Sequence, residues 1–280
     1  MVEMLTVMAI IAILISLLIP AISMVRRTAK ETRQKAQFAA IEMAIMAFKG
    51  DYGDYPPSQT DTRFGVSKYY CGAQKLAEAL LGWDLLGFDP NSDWRYDGLD
   101  ASNGPGAYDP YKVRHSGNDT LNERKGPYLE TSGANAFRLS NLFGNTGDLD
   151  PNRFVICDSF GVKPVLIGGK TVKAGTPILY YKANTANKTI GGIYNACDNQ
   201  PLVALGKMMN TGVSHPIVCN PNCSNYSNCL FFYDYDYKGG IKDPRITTLA
   251  WPYRPDSYIL ISAGLDGLYG TSDDITNFGQ

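Results

Sequence analysis

The sequence predicts an α+β fold in which a long protruding N-terminal α-helix packs on an antiparallel β-sheet head with long loops. The first 49 residues contain no Gly and only one Pro, which favours a single long helix. Short apolar runs separated by Gly turns lie between residues 153 and 184 and again near residue 260, as expected for strands. Segments rich in Gly, Asn, Asp and Tyr separate these runs and predict long loops.

The first half of the helix, residues 1–25, is apolar on every side. It has the sequence MVEMLTVMAIIAILISLLIPAISMV, and Glu3 is its only ionisable side chain. About 20 such residues span a hydrocarbon core of about 30 Å. A carboxylate is costly in lipid, so Glu3 indicates a functional role. Pro20 removes one helix hydrogen bond and predicts a kink or a loosened turn at that point.

The second half, residues 26–55, is predicted to be an amphipathic continuation of the helix and its exit. Basic side chains cluster between Arg26 and Lys35, and apolar ones recur at helical spacing as far as Phe48. Gly50 and the turn-forming segment after it are expected to end the helix. At 1.5 Å per residue the whole helix would be about 75 Å long.

This N-terminal region resembles that of type IV pilins and of pseudopilins, their relatives in type II secretion systems. The residues that carry the resemblance are Val-Glu-Met-Leu at positions 2–5, Leu-Ile-Pro-Ala at 18–21, and the spacing of 17 residues from Glu3 to Pro20. The resemblance implies that the helices bundle into a filament and that Glu3 neutralises the terminal amine of a neighbouring subunit. A plain membrane anchor is the alternative, although an anchor needs neither the glutamate nor the amphipathic continuation.

Residues 56–280 are predicted to form the globular head. A short helix is expected at residues 73–81, and residues 87–125 are expected to be a long loop. The predicted strands lie in the segments RFVICDSFG, KPVLIG, KTVKAG and TPILYYKAN between residues 153 and 184, in ITTLAW at 246–251 and in SYILISAG at 257–264. We expect these strands to form one antiparallel sheet against which the helix packs, interrupted by a Cys- and Asn-rich insertion at residues 185–245.

Six cysteines in a chain with an apolar, export-type N-terminus favour disulfide bonds. They are Cys71, Cys157, Cys197, Cys219, Cys223 and Cys229. We expect three disulfides and no free thiol, with the connectivity left open. A zinc site is disfavoured because the spacings lack CxxC pairs.

The last segment, residues 257–280, is predicted to be a terminal strand followed by a calcium loop. Three carboxylates lie within nine residues, and two glycines allow the backbone to fold back, which suits a hard cation that takes six to eight oxygen ligands. The predicted ligands are Asp266, Asp273, Asp274, Ser272 and the carbonyls of Ala263 and Leu268. The segment also resembles the calcium loop of G-type major pseudopilins, which implies a structural Ca²⁺. A solvated acidic turn is the alternative.

Composition and motifs narrow the function classes. A net charge of −1 gives no electrostatic signature for nucleic acid. With only two histidines, and without a nucleophile elbow, an HExxH motif or a Gly-rich phosphate loop, no enzymatic activity is expected.

The function that we expect is that of a structural subunit of an extracellular type IV pilus-like filament at the cell surface, with further copies of the chain as its main partner. The resemblance also implies residence in the inner membrane before assembly, and contact with pilus or secretion assembly machinery. A pseudopilin of a type II secretion system is the first alternative. A membrane-anchored ectodomain that does not polymerise is the second.

Overall fold

A computed structural model describes residues 2–60, 68–99, 108–111, 119–131, 133–219, 229–234 and 240–279. Helix α1 spans Val2–Tyr52, 51 residues without interruption, and confirms the long N-terminal helix. The prediction that Gly50 ends the helix is wrong, because Gly50 lies inside α1. The end comes at Gly53, whose φ of 82° lets its N–H donate to the Lys49 carbonyl at 2.7 Å.

The head combines short helices with short strands. The helices are α2 (Gly72–Leu81), α3 (Thr120–Glu123), α4 (Leu139–Leu142), α5 (Ile190–Ile193), α6 (Gln200–Val203) and α7 (Leu230–Tyr233), with a 3₁₀ turn at Ala196–Asn199. The strands are β1 (Ala136–Arg138), β2 (Phe154–Ile156), β3 (Lys163–Ile167), β4 (Lys170–Ala174), β5 (Leu179–Lys182), β6 (Tyr258–Ser262) and β7 (Ile275–Thr276). The predicted helix at 73–81 and the strands predicted between residues 153 and 184 and after residue 257 are confirmed.

The segment at residues 246–251 is not a strand. Its start is held by a local turn, in which the N–H of Ile246 donates to the carbonyl of Asp243 at 3.2 Å. Leu249 is 53% exposed, so the segment does not present an apolar face to the core. Residues 248–249 form a bend, and the rest of the segment has no regular secondary structure.

Three small antiparallel sheets replace the single sheet that the sequence predicted. They are β1–β2, β3–β4 and β5–β6–β7, with β6 in the centre of the third. A single bridge between Cys157 and Pro177 joins the first sheet to the start of β5. At this bridge the N–H of Asp158 donates to the carbonyl of Thr176 and the N–H of Ile178 to that of Ile156, both at 2.8 Å. The fold class is therefore α+β with a long N-terminal helix and small antiparallel sheets.

The β5–β6–β7 sheet lies between two apolar layers, because alternate side chains of a strand point to opposite faces. Tyr180 and Leu260 belong to the layer that contains the buried face of α1. Tyr181 and Ile261 belong to the other layer. Buried residues of the 185–245 insertion fill that second layer, so the insertion covers the face of the sheet that is turned away from α1.

The second half of α1 is held to the head by one apolar face. Its buried side chains are Phe38, Ile41, Ala44, Ile45 and Phe48. The Phe48 ring lies 5.1 Å from that of Phe88 and 5.9 Å from that of Tyr128, measured between ring centroids. A fully buried side chain of this size contributes about 1.5–3 kcal/mol, so these contacts fix the helix on the sheet.

Polar side chains of α1 also bind the segment 157–160 that follows β2. Gln37 donates to the carbonyl of Cys157 at 2.8 Å. Gln34 accepts from the main-chain N–H of Ser159 at 2.7 Å. Lys30 donates to the carbonyl of Phe160 at 3.4 Å. The segment therefore runs along α1 toward the N-terminal end of the helix.

Candidate assembly interface and terminal loop

Within the described part of the chain, the first half of α1 is uncovered except where Leu265 approaches Ile19 and Ile22 across a cleft. Its described large side chains are exposed, with Met4 at 76% and Leu5 at 72%. By length and composition α1 could cross a membrane, and its most apolar stretch contains no buried residue. A signal sequence near an N-terminus meets the same criteria of length and apolar composition. An apolar surface of this size requires lipid or another protein around it.

Glu3 lies in the first turn of α1 and is exposed. Its main-chain carbonyl accepts a hydrogen bond from the Thr6 hydroxyl at 2.9 Å. Among the described residues its carboxylate forms no hydrogen bond or ion pair. The structure thus brings no other predicted site residue near Glu3, and any partner must come from outside the described chain.

Pro20 does not interrupt α1, which stays helical from Val2 to Tyr52. Because Pro20 has no N–H, the carbonyl of Ser16 lacks its usual helical donor. Hydroxyl groups near this position bond within the helix: Ser23 donates to the carbonyl of Pro20, and Ser16 to that of Ile13, both at 2.7 Å. The helix of the single chain is therefore continuous through Pro20, although one main-chain hydrogen bond is missing there.

The face of α1 that points away from the head carries no charge between residues 36 and 50. Its exposed residues are Ala36, Ala39, Met43, Met46, Ala47 and Gly50, with the two methionines 69% and 55% exposed. A helix that packs on a head with one face normally has charged and polar residues on the opposite face. The second half of α1 therefore carries an uncharged, uncovered face of its own, which is separated from the apolar first half by the charged segment 26–35.

The terminal loop closes around Asp273. Its carboxylate accepts hydrogen bonds from the main-chain N–H groups of Leu265 at 2.7 Å and Asp266 at 2.9 Å, and from the Thr271 hydroxyl at 2.7 Å. Burial opposes ionisation, yet these hydrogen bonds outweigh it and lower the pKa of Asp273. At Gly264 a Cβ atom would lie 2.2 Å from the Asp273 carbonyl, so only glycine permits this closure.

Asp266 and Asp274 have raised pKa values in the same loop. Burial raises the pKa of Asp274 to about 8, and the charges of the other two carboxylates act in the same direction. One Asp274 oxygen accepts from the N–H of Gly270 at 2.7 Å, whereas the other is buried and forms no hydrogen bond with a described residue. Burial also raises the pKa of Asp266, and the charge of Asp273 adds to this effect. The loop thus brings three carboxylates together, and their mutual repulsion favours either protonation of a carboxylate or the binding of a cation.

The remaining predicted calcium ligands differ in their exposure to solvent. Ala263 is buried, Leu268 is half-buried and Ser272 is exposed. Within the described ranges no three His, Cys, Asp or Glu side chains are grouped closely enough to hold a metal ion. The buried free oxygen of Asp274 is the feature that fits a cation, whereas most of the other carboxylate oxygens are bound by donors of the loop itself.

A cleft separates the terminal loop from α1. Its volume is about 490 Å³, and its walls carry Arg27, Glu31 and Lys35 on the helix and Asp273 and Asp274 on the loop. Arg27 and Glu31 form an ion pair of 2.8 Å along the helix. Arg254 donates to the Glu42 carboxylate at 2.6 Å and so ties the segment before β6 to the second half of α1.

The expectation that every cysteine is in a disulfide is wrong for two of them. Cys219 and Cys229 are bonded, and Cys197 is also disulfide-bonded, while Cys223 lies outside the described residues. Cys71 and Cys157 are free thiols, and both are fully buried. Burial raises the pKa of Cys71 to about 11 and that of Cys157 well above its usual value. These two cysteines therefore act as small apolar core residues.

Glu78 is a buried site that the sequence analysis did not single out. Its carboxylate accepts hydrogen bonds from the hydroxyls of Tyr70 and Tyr108, both at 2.7 Å, and from that of Ser92. Burial raises its pKa, and these bonds oppose the shift. Glu78 anchors Ser92 and Tyr108, which lie in the predicted long loop, to α2. A lone carboxylate on the apolar side of a short helix was the signal available in the sequence.

No family model matches the chain, and neither a curated protein nor a solved structure does. The layout of a long apolar N-terminal helix followed by a small β-sheet region is compatible with that of a pilin.

Proposed function

We propose that the chain is a structural subunit that polymerises into a helical extracellular filament of the type IV pilus kind through α1. The observation that carries this proposal is the unpartnered surface of α1, which is apolar on all sides as far as Val25 and, beyond the charged segment 26–35, is uncharged again on its outer face between Ala36 and Gly50. A membrane covers only about 20 residues of helix, so it accounts for the first half but not for Met43 and Met46. Neighbouring copies of α1 account for both halves.

The proposed role is structural and not catalytic. Before assembly the apolar half of α1 holds the chain in the inner membrane, and the assembly machinery of a pilus or a secretion system extracts it. In the filament Glu3 pairs with the terminal amine of a neighbouring subunit. The absence of a partner for its carboxylate among the described residues supports this role.

A pseudopilin of a type II secretion system is the second candidate. The terminal loop favours it, because a loop that closes on paired aspartates is the feature that resembles G-type major pseudopilins. Electron microscopy of intact cells with antibodies against the head separates the candidates. Long labelled surface fibres support the pilus-like filament, short periplasmic filaments support the pseudopilus, and a monomeric membrane-bound chain contradicts both.

We further propose that the terminal loop binds a structural Ca²⁺ through Asp266, Asp273 and Asp274. The buried free oxygen of Asp274 and the raised pKa values of two of the three carboxylates support a cation there. Melting curves of the purified chain in calcium and in chelator test the proposal, with magnesium as the control ion. If the melting curves in calcium and in chelator coincide, the loop does not bind calcium and is only an acidic turn.

A further inference from the structure

The β3–β4 hairpin projects exposed apolar side chains from the head. Its base is fixed, because Val165 and Ala174 are buried and Lys163 donates to the carbonyl of Leu142 at 2.6 Å. Its outer part is not covered within the described structure: Leu166 is 68% exposed and Ile167 44%. Val172 on β4 is also 44% exposed. Uncovered apolar residues on a two-stranded hairpin indicate an interaction surface for a membrane or another protein.

The hairpin is also basic. The segment 161–175 contains Lys163, Lys170 and Lys173 and no acidic residue. Lys163 is used at the base, whereas the other two lysines are exposed beside the apolar side chains. Exposed lysines next to apolar side chains suit an interface that is both apolar and negatively charged.

The base of the hairpin lies at the end of the head that is closer to the apolar half of α1. The start of segment 157–160 is bound by Gln37 of α1 and its end by Lys30, which lies about 10 Å closer to the N-terminus of the helix. Lys30 is five residues, or about 7 Å, from the end of the apolar half at Val25. A strand of five residues is about 17 Å long, which is the span of the hairpin from its base to its tip.

The terminal loop reaches the apolar half of α1 at the same end. Leu265, 43% exposed, lines a cleft of about 470 Å³ together with Ile19, Ile22 and Arg26 of the helix. Leu265 thus presents an exposed apolar group beside the basic first turns of the second half of α1, and Lys30 in those turns also binds the residue before the hairpin, Phe160.

We infer that this end of the head, formed by the β3–β4 hairpin and Leu265, docks on an anionic lipid surface while α1 is inserted in the membrane. The inference rests on the membrane stage of the proposed function. Apolar side chains enter the boundary between headgroups and acyl chains, and Lys170 and Lys173 lie at the level of the lipid phosphates. Each lysine near an anionic membrane raises the binding affinity for that membrane about fivefold. Docking holds the head in one orientation before the chain enters a filament.

The test is amide hydrogen exchange of the full chain in lipid nanodiscs, either of phosphatidylcholine alone or with phosphatidylglycerol added. We expect exchange in residues 163–174 to slow at least about fivefold in the anionic discs. The variant Lys170→Gln/Lys173→Gln should lose this difference, and Leu166→Gln/Ile167→Gln should lose most of the protection. The matched control Lys188→Gln/Leu249→Gln changes one exposed lysine and one exposed leucine elsewhere and should retain it.

The outcomes separate this inference from the function on which it rests. Protection of residues 2–25 with equal hairpin exchange in the two lipids overturns the lipid docking and leaves the membrane stage intact. Hairpin protection in filaments but not in anionic nanodiscs also overturns it, and assigns the surface to a second copy of the chain. Loss of protection at residues 2–25 in both lipids overturns the membrane stage as well.

Discussion

The side-chain oxygen of Gln34 accepts a hydrogen bond of 2.7 Å from the main-chain N–H of Ser159. Gln34 is a fully buried residue of α1. The long helix therefore supplies a hydrogen-bond acceptor for the loop that follows β2. Attachment of the helix therefore depends on specific polar contacts as well as on its apolar face.

Replacement of Gln34 by Leu should destabilise the head. The side-chain volume is kept, but the N–H of Ser159 loses its partner, which costs about 1–3 kcal/mol. Part of this cost is offset, because the amide nitrogen of Gln34 is itself buried without a hydrogen bond to a described residue. Denaturant unfolding of the full chain in detergent, followed by near-UV circular dichroism, measures the loss. Arg33→Leu on the exposed side of the same turn is the control, and an equal effect of both variants would contradict the role of this hydrogen bond.

Glu3→Leu should abolish filaments without unfolding the head or preventing membrane insertion. The carboxylate has no partner among the described residues, and a charge in an apolar segment is tolerated only where a partner is supplied. Electron microscopy and membrane fractionation of cells that express the variant provide the measurement. Thr6→Ala, one turn along the same helix, should still assemble, and normal fibres from Glu3→Leu would refute the charge pairing.

Assembly should break or extend α1 between residues 15 and 24. The single chain keeps the helix through Pro20, but the carbonyl of Ser16 already lacks a main-chain donor there. A lipid-free bundle offers other partners for such groups. A density map of the filament checks this, and a straight helix through Pro20 would show that assembly leaves the helix unchanged.

The stability of the calcium-free chain should fall as the pH rises from about 4 to about 8. Burial raises the pKa of Asp274 to about 8, so the folded state retains a proton that the unfolded state releases near pH 4. Because the folded state binds more protons in this window, rising pH favours unfolding. The buried Asp158 and Asp198, with pKa values raised to about 7 and about 6 by burial, act with the same sign.

Asp274→Asn isolates the contribution of the terminal loop to this pH dependence. The variant should show a shallower decline of melting temperature between pH 6 and pH 8 than the parent chain. Asp256→Asn, at an exposed position outside the loop, should retain the parental slope. Identical slopes in all three proteins would show that Asp274 does not hold a proton in the folded state.

Alkylation should find two thiols in the head, and only after unfolding. Cys71 and Cys157 are fully buried, and burial raises both thiol pKa values, so the reactive thiolate is scarce and covered. Mass spectrometry after iodoacetamide treatment, with and without denaturant and without reductant, counts the modified cysteines. No modification in denaturant would indicate a third disulfide instead of two free thiols.

Local patterns predicted the elements that depend on nearby residues. The continuous helix α1, the short helix α2 and the strands β3 to β6 all follow from hydrophobic period and Gly turns. Prediction failed at Gly50, where packing of the neighbouring Phe48 outweighs the weak helix propensity of glycine. It failed again at residues 246–251, whose β-branched residues follow a turn held by Asp243.

The candidate site divides in the same way. The apolar run, Glu3, Pro20 and the spacing of the terminal aspartates were visible in the sequence because they are local features of the chain. The tertiary structure decided which α1 face is covered, that Gln34 and Glu78 are buried with partners, and that Cys71 and Cys157 remain free. Each of these depends on which distant segments meet, and a strand ladder, a buried hydrogen bond or a disulfide forms only where the fold brings both partners into bonding geometry.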